Sequence, residues 1–396
     1  MSWPLVKLGD LFKVTSGGTP SRKKSEYYDG GDIHWVKTGD LHNKYVRTAS
    51  EFITQEGLDG SSARLYPKGT VLVAMYGATI GACSILDIEA ATNQACAAFT
   101  PTEKVDPVFL YYLLKHSKPA FVKAGSGGAQ PNISGTFLKN FEIPLPPLEV
   151  QKRIAAILDK ADAIRQKRKQ AINLADEFLR RVFLDMFGDP VTNPKGWEER
   201  KLITGLSKVQ SGWSAKGESY PCASNELGVL KVSAVTSGYF KEHENKFVSR
   251  EIVPEGKSLL FPKKGDLLFS RANTRELVAA TCIVTRDYDN VFLPDKLWKV
   301  EPNEYLMPEF LHMLIQQPRF KERLTSQATG SSGSMLNISK SKFEQTMSIF
   351  PSIEEQIKFK DIYWKVMKSL ASLETSETKV GDFFNSLSQK AFSGQL

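Results

Sequence analysis

The chain has 396 residues, 41% of them hydrophobic and 10% aromatic, enough for more than one packed core and incompatible with wholesale disorder. At this length roughly two or three domains are expected. Its formal net charge of +8 favours a polyanionic partner, although many basic proteins bind no nucleic acid.

The first residues, Met1-Ser2-Trp3-Pro4-Leu5, lack the basic-then-apolar layout of a signal peptide. The most apolar stretch, 71–85, is interrupted by Gly77, Thr79 and Gly81 and is too short for a bilayer, so buried strands are expected there. Cys83, Cys96, Cys222 and Cys282 are far apart and form no C-x-x-C pair, which fits buried thiols in a reducing compartment. A cytoplasmic protein with no membrane partner is the resulting expectation.

Taken in order, the elements of the first half return in the second. Trp3…Lys7-Leu8 is answered by Trp197…Lys201-Leu202, and Lys13-Val14-Thr15-Ser16-Gly17 by Lys208-Val209-Gln210-Ser211-Gly212. A strand-like run at 70–74, after Pro67-Lys68-Gly69, matches one at 266–270, after Lys263-Lys264-Gly265; another strand is expected at 279–285. Helices are expected at 107–115 and 308–316, each with proline in its first turn. Asn132-Ile133-Ser134 returns as Asn337-Ile338-Ser339, and Pro146-Pro147-Leu148-Glu149-Val150-Gln151 as Pro351-Ser352-Ile353-Glu354-Glu355-Gln356. A period near 200 residues is too long for a solenoid and fits two copies of a whole domain with an appended element.

That element is a long helix. From Leu148 to Phe187 there is no Gly or Pro, and Ile154, Ile157, Ala161, Ile164, Ala171, Ala175, Phe178 and Val182 recur at intervals near three and four. Gly188 and Pro190 provide the stop. The second copy opens on a capping-box pattern, Ser352-x-x-Glu355, and continues through Ile362, Val366, Leu373, Val380, Phe383 and Leu387. Each helix would be about 40 residues, or roughly 60 Å. Neither can bury its stripe alone, so the two are expected to pair as an antiparallel coiled coil. The expected fold is α/β (α+β): a mixed domain at 1–145, the central helix at 146–190, a second domain at 191–350 and the partner helix at 351–396.

These residues resemble type I restriction–modification specificity subunits. Leu145-Pro146-Pro147-Leu148-Glu149-Val150-Gln151 leading into a long helix is similar to that family's central region. So are Gly17-Gly18-Thr19-Pro20, Tyr76-Gly77-Ala78-Thr79-Ile80-Gly81, Thr92-Asn93-Gln94-Ala95, Gln130-Pro131-Asn132-Ile133-Ser134 and, in the second half, Gly265-Asp266-Leu267-Leu268-Phe269-Ser270-Arg271. The resemblance implies a non-catalytic subunit whose two domains each read half of a bipartite target in double-stranded DNA, with the helix pair setting the spacer. It implies docking of two methyltransferase subunits on the helices and of restriction subunits through them. No cofactor is expected in this chain; S-adenosylmethionine, ATP and Mg would sit on the partners. The second half replaces Gly-Gly-Thr-Pro by Gly212-Trp213-Ser214 and the Tyr-Gly-Ala-Thr loop by Arg271-Ala272-Asn273-Thr274-Arg275, so the target is expected to be asymmetric.

Base reading needs donors and acceptors at groove edges, and phosphate contacts need cations or backbone N–H groups. In the first domain the candidates are Thr19, Arg22, Lys23, Lys24, Lys37, Tyr76, Thr79, Asn93, Gln94, Gln130 and Asn132; in the second, Lys231, Arg271, Asn273, Arg275, Lys296, Ser334 and Asn337. Asn93, Asn132 and Asn337 serve equally well as turn closers, and Arg271 as the partner of a local acid such as Glu276. No P-loop, no Asp-Pro-Pro-Tyr or Asn-Pro-Pro-Tyr tetrapeptide and no paired histidines occur, so no ATP, methyl-transfer or zinc site is expected. Two rival readings are a self-sufficient methyltransferase or nuclease, and a two-headed coiled-coil adaptor for a non-DNA ligand.

Overall fold

The computed structural model describes residues 3–125, 132–326, 328–329 and 335–395, with side chains throughout except at 371–385. Gln130 and Ser334 therefore lie outside the described residues, and Leu373, Val380 and Phe383 outside the described side chains. Two compact units divide the chain: Met1–Lys169 with Glu374–Leu396, and Gln170–Leu373. The cuts fall inside both long helices, not at 146, 191 and 351 where sequence pattern changes. Each unit thus contains one α/β body together with a piece of each helix.

Unit 1 holds a five-stranded sheet in the order Thr15–Ser16, Cys96–Phe99, Val71–Ala74, Cys83–Leu86, Tyr45–Val46. A four-stranded sheet runs Glu51–Ile53, Ile33–Val36, Ala90–Thr92, Leu65–Tyr66. The apolar run expected to be strand splits into two antiparallel partners in register Val71↔Ile85 and Val73↔Cys83, turning through the glycines at 77 and 81. Because Val71–Ala74 is buried on both faces, it reads as a continuous apolar run.

Unit 2 repeats the plan with substitutions. Its four-stranded sheet runs Leu206–Ser211, Leu297–Pro302, Leu267–Ser270, Thr281–Ile283, and a three-stranded sheet runs Asn245–Val248, Leu227–Leu230, Val291–Phe292. Where unit 1 adds the parallel strand Tyr45–Val46, unit 2 keeps a single parallel bridge, Tyr239↔Ile283. The proline-led helices are Pro107–His116 and Pro308–Gln316; Asp106 caps the former by accepting from the N–H groups of Val108 and Phe109.

The long helices run Leu148–Phe187 and Ile353–Phe392. In unit 1, Ile154, Ala155, Leu158 and Ala161 of the first share a core with Leu387, Ala391 and Phe392 from the end of the second. In unit 2, Leu179, Phe183 and Phe187 from the end of the first share one with Phe359 and Tyr363 from the start of the second. Within each unit the pairing is therefore antiparallel.

Two expectations about these helices are corrected. The buried stripe passes through Ile154, Leu158, Ala161, Leu179 and Phe183, with Ile157 and Val182 beside it, whereas Ile164 and Phe178 are 42% and 49% exposed. Helical spacing alone describes a helix facing only another helix; here each segment also packs on its α/β body, which pulls the buried face toward Leu158 and Phe183. Ile362 and Val366 are half-buried for the same reason, beside fully covered Phe359 and Tyr363. At the second helix start, Ser352 Oγ accepts from Glu355 N at 3.4 Å, but the Glu355 carboxylate takes Lys358 at 2.5 Å, so only half of the capping box forms among the described residues.

Candidate functional site

A shared backbone frame lies under the polar loops of both units. In unit 1 Gly18 N donates to Thr92 O at 2.9 Å; in unit 2 Trp213 N donates to Leu293 O at 2.9 Å. The preceding glycines press on the same carbonyls: a Cβ at Gly17 would stand 1.8 Å from Thr92 O, and one at Gly212 1.8 Å from Leu293 O. That clash explains why glycine recurs there. Next, Met75 N donates to Ala95 O at 2.9 Å and Arg271 N to Lys296 O at 3.1 Å; Ile133 N donates to Met75 O at 3.0 Å and Ile338 N to Arg271 O at 2.8 Å. The repeated Asn-Ile-Ser now has a division of labour. Ile133 and Ile338 are buried, Ser134 and Ser339 cap the helices Gly135–Asn140 and Lys340–Gln345, and Asn132 and Asn337 face outward.

Different side chains are mounted on that frame. In unit 1 Thr19 Oγ1 donates to Gln94 Oε1, which leaves the Gln94 amide N–H groups directed elsewhere. In unit 2 the same positions are Ser214 and Asp295, and Ser214 Oγ donates to Asp295 Oδ1. Arg271, in the position of Met75, closes the cluster. Its Nε donates to Asp295 O at 2.7 Å, Nη2 to Asp295 Oδ2 at 2.9 Å and Nη1 to Asn337 Oδ1 at 2.7 Å. Burial pushes the Asp295 carboxyl up, but the Ser214 hydroxyl and the Arg271 guanidinium more than reverse this, holding it below the ordinary range. The local acid for Arg271 is thus Asp295 and not Glu276. Three of its five N–H donors are committed, which fixes the guanidinium plane while its side chain stays 23% exposed.

The remaining candidates fall into groups. Arg22 and Lys37 both pair with Glu51, Arg22 at 2.5 Å, and Arg22 also lies 4.4 Å above the Tyr28 ring and 5.1 Å from Trp35. Hydrogen bonds from Lys37 and then Arg22 hold Glu51 below the ordinary carboxylate range. Lys24 is occupied by Tyr27, with Nζ 2.8 Å from its hydroxyl, while Lys23 is exposed. Thr79 Oγ1 donates to Tyr76 O at 2.9 Å, closing the Gly77–Thr79 turn, and the exposed Tyr76 forms a bridge with Asn132. Asn93 Oδ1 accepts from Ala95 N at 3.2 Å and so closes a local turn, whereas Asn273 lies in the short strand Ala272–Asn273, paired with Leu336, and its Oδ1 accepts from the adjacent Thr274 N at 2.9 Å. Lys231 Nζ stands 3.8 Å from Glu244, Lys296 is half-buried and Arg275 is exposed.

Sequence reasoning missed Glu51, Ser214 and Asp295. Ser214 was within reach, since setting Gly17-Gly18-Thr19 against Gly212-Trp213-Ser214 places a hydroxyl opposite a hydroxyl. Asp295 was not, because Leu293-Pro294-Asp295-Lys296 shares no residue with Thr92-Asn93-Gln94-Ala95.

No group of acidic, histidine or cysteine side chains among the described residues is arranged to hold a metal ion. The four cysteines are free, and burial raises the thiols of Cys83 and Cys96 to about 12. Among the described residues no helix is long and apolar enough to cross a membrane.

A duplicated α/β body with one backbone frame under two different polar clusters, each body feeding a 40-residue helix, is the architecture of a two-headed recognition protein. Comparison with known proteins specifies which. Residues 2–174 match the model of the type I restriction modification DNA specificity domain. The MjaIX type I restriction enzyme specificity subunit of Methanocaldococcus jannaschii is 30% identical over 293 residues, 67% of each chain. The EcoKI specificity subunit of Escherichia coli is 22% identical over 426 aligned positions, covering 100% of this chain and 89% of that one. In fold, the S subunit of a type I restriction–modification system from M. genitalium superposes with a TM-score of 0.60 at 17% identity, over 98% of this chain and 96% of that one. The chain belongs to the type I restriction–modification specificity subunits.

Proposed function

We propose that each unit reads one half of a bipartite, asymmetric target in double-stranded DNA through the loop clusters around Gln94 and Arg271. The observation that supports this best is the pairing of an identical backbone frame with chemically different side chains: Thr19–Gln94 in one unit, Ser214–Asp295–Arg271–Asn337 in the other. An exposed glutamine amide suits adenine and a planar, pre-oriented arginine suits guanine. The helices 146–190 and 351–396 act as spacer between two recognition domains, 1–145 and 191–350, and carry the docking surface for two methyltransferase subunits, with restriction subunits joining through those. The chain itself turns nothing over; S-adenosylmethionine, ATP and Mg act on the partner subunits. Of the first-domain cations, Lys23 is the phosphate contact this reading favours, since Arg22, Lys24 and Lys37 have partners already.

The test is a methylation map. Co-expressed with the genes flanking its own, in a host lacking adenine methylation, the chain should direct methylation to a two-part motif with unlike halves. Omitting the chain should abolish it. A soluble complex with a competent methyltransferase and no new methylation would overturn the reading.

A further inference from the structure

Each long helix is fastened to its body by one buried glutamine, and the two fastenings are the same. In unit 1 the Gln151 amide nitrogen donates to Lys104 O at 3.0 Å and Pro146 O at 2.9 Å, while its oxygen accepts from Asp106 N at 2.9 Å. In unit 2 the Gln356 amide nitrogen donates to Tyr305 O at 3.0 Å and Pro351 O at 2.9 Å, while its oxygen accepts from Met307 N at 2.9 Å. Both side chains are essentially fully buried, at 1% and 0% exposure. The amide orientation is forced, because the carbonyls can only accept and the backbone N–H can only donate. One residue thereby ties three pieces of chain: the loop before the proline-led helix, the proline that introduces the long helix, and the first turn of that helix.

A buried polar side chain is an expensive way to make a joint that leucine could fill by packing. What the amide adds is direction. Three bonds to backbone fix the angle at which the helix leaves its body, whereas apolar contacts tolerate sliding and rotation. Angle matters because the lever is long: a 40-residue helix spans about 60 Å, so a tilt of about 5° at its base moves the far end by about 5 Å. One base pair is about 3.4 Å. The far end of the first helix is itself held in unit 2, where Phe183 and Phe187 are buried and Trp197 Nε1 donates to Phe187 O at 2.9 Å.

We infer that Gln151 and Gln356 are positioning residues that set the spacer length between the half-sites, by fixing the departure angle of each long helix. This rests on the proposed reading of a bipartite target. The experiment maps methylated adenines genome-wide for the wild-type complex and for complexes with Gln151→Leu, Gln356→Leu and the shape-preserving Gln151→Glu, which loses both donors. Leu138→Ala serves as a control, since it opens a cavity in the same core of unit 1 while leaving every hydrogen bond of Gln151 in place. Thermal stability of each purified full-length chain is measured in parallel. The glutamine variants should keep both half-site sequences while methylation at spacers one base pair longer or shorter rises several-fold relative to the preferred spacer. Leu138→Ala should lower the melting temperature comparably without broadening the spacer. Unchanged spacer preference in folded, active glutamine variants, or equal broadening in the control, would overturn the inference and leave the residues as structural staples. Absence of a two-part motif in the wild type would instead remove the functional reading on which the inference stands.

Discussion

The loop holding Gln94 and the loop holding Asp295 occupy equivalent places on one backbone frame, yet one presents a neutral amide and the other an arginine–carboxylate cluster. What is common to them is made of main-chain bonds and a glycine pressed against a carbonyl; what differs is made of side chains that those bonds do not constrain. A duplicated domain can therefore change what it touches without refolding. Only the side chains on the frame have to change, which is how one chain can come to read two unlike half-sites.

The hardest blow to that contrast is Arg271→Ala. It removes the group that joins Asp295 to Asn337 and leaves the Asp295 carboxylate with only the Ser214 hydroxyl and the nearby charge of Lys296 to stabilise it. Losing a bidentate reader costs about 1–3 kcal/mol of discrimination, so methylation should fall by roughly ten- to a hundredfold. The loss of stringency should be confined to one half-site: changing bases there should no longer matter, while the other half keeps its stringency. Oligonucleotide series mutated in either half would measure this. Equal loss of stringency in both halves would mean that Arg271 holds unit 2 together without reading anything.

A second contrast lies in the proline-led helices. Unit 1 has Tyr111 where unit 2 has His312, buried, with Nδ1 2.8 Å from Thr281 Oγ1. Burial first, then the charge of Arg180, lowers His312 from 6.5 to about 4. Below pH 6.5 the unfolded chain takes up a proton that the folded chain refuses until about pH 4. Stability is therefore undiminished above that window and lost as pH falls through it, by about 2 kcal/mol at pH 5. Melting temperatures of wild type and His312→Gln between pH 8 and 5 should diverge on acidification, the variant losing less. Parallel curves would show that the imidazole is not the group responsible.

Much of this was legible in sequence and some was not, for identifiable reasons. The duplication could be read because its markers answer to backbone geometry: Gly17 and Gly212 cannot accept a Cβ, and Gln151 and Gln356 meet three backbone groups each. The first long helix could be read from an uninterrupted run without Gly or Pro, and the second, which contains Gly381, from its capping pattern and apolar spacing. Ile164 and Phe178 fall on the apolar stripe yet stay exposed, because helical spacing reveals that a stripe is apolar but not how many neighbours compete to cover it. Candidate cations were chosen by charge and loop context, and neither says that Glu51 lies 29 residues along the chain from Arg22, waiting to pair with it. Long-range partners of that kind leave no local trace.

Glu51 also supplies the gentlest test of the two units' difference. Its carboxylate engages Arg22 and Lys37, whereas Lys23 beside them is exposed. Pairs this open to solvent are worth about 0–1 kcal/mol, so Glu51→Gln should scarcely change the melting temperature. Its effect on DNA should be larger than its effect on folding. With the carboxylate gone, two cations become available to phosphates, and each phosphate neutralised steepens the dependence of log affinity on log salt by about 0.9. A slope steeper by roughly one to two, with half-site preference unchanged, would place Arg22 and Lys37 along the DNA backbone, held back by their acid. An unchanged slope would place this cluster away from DNA and confine the reading surface of unit 1 to the side that presents Gln94.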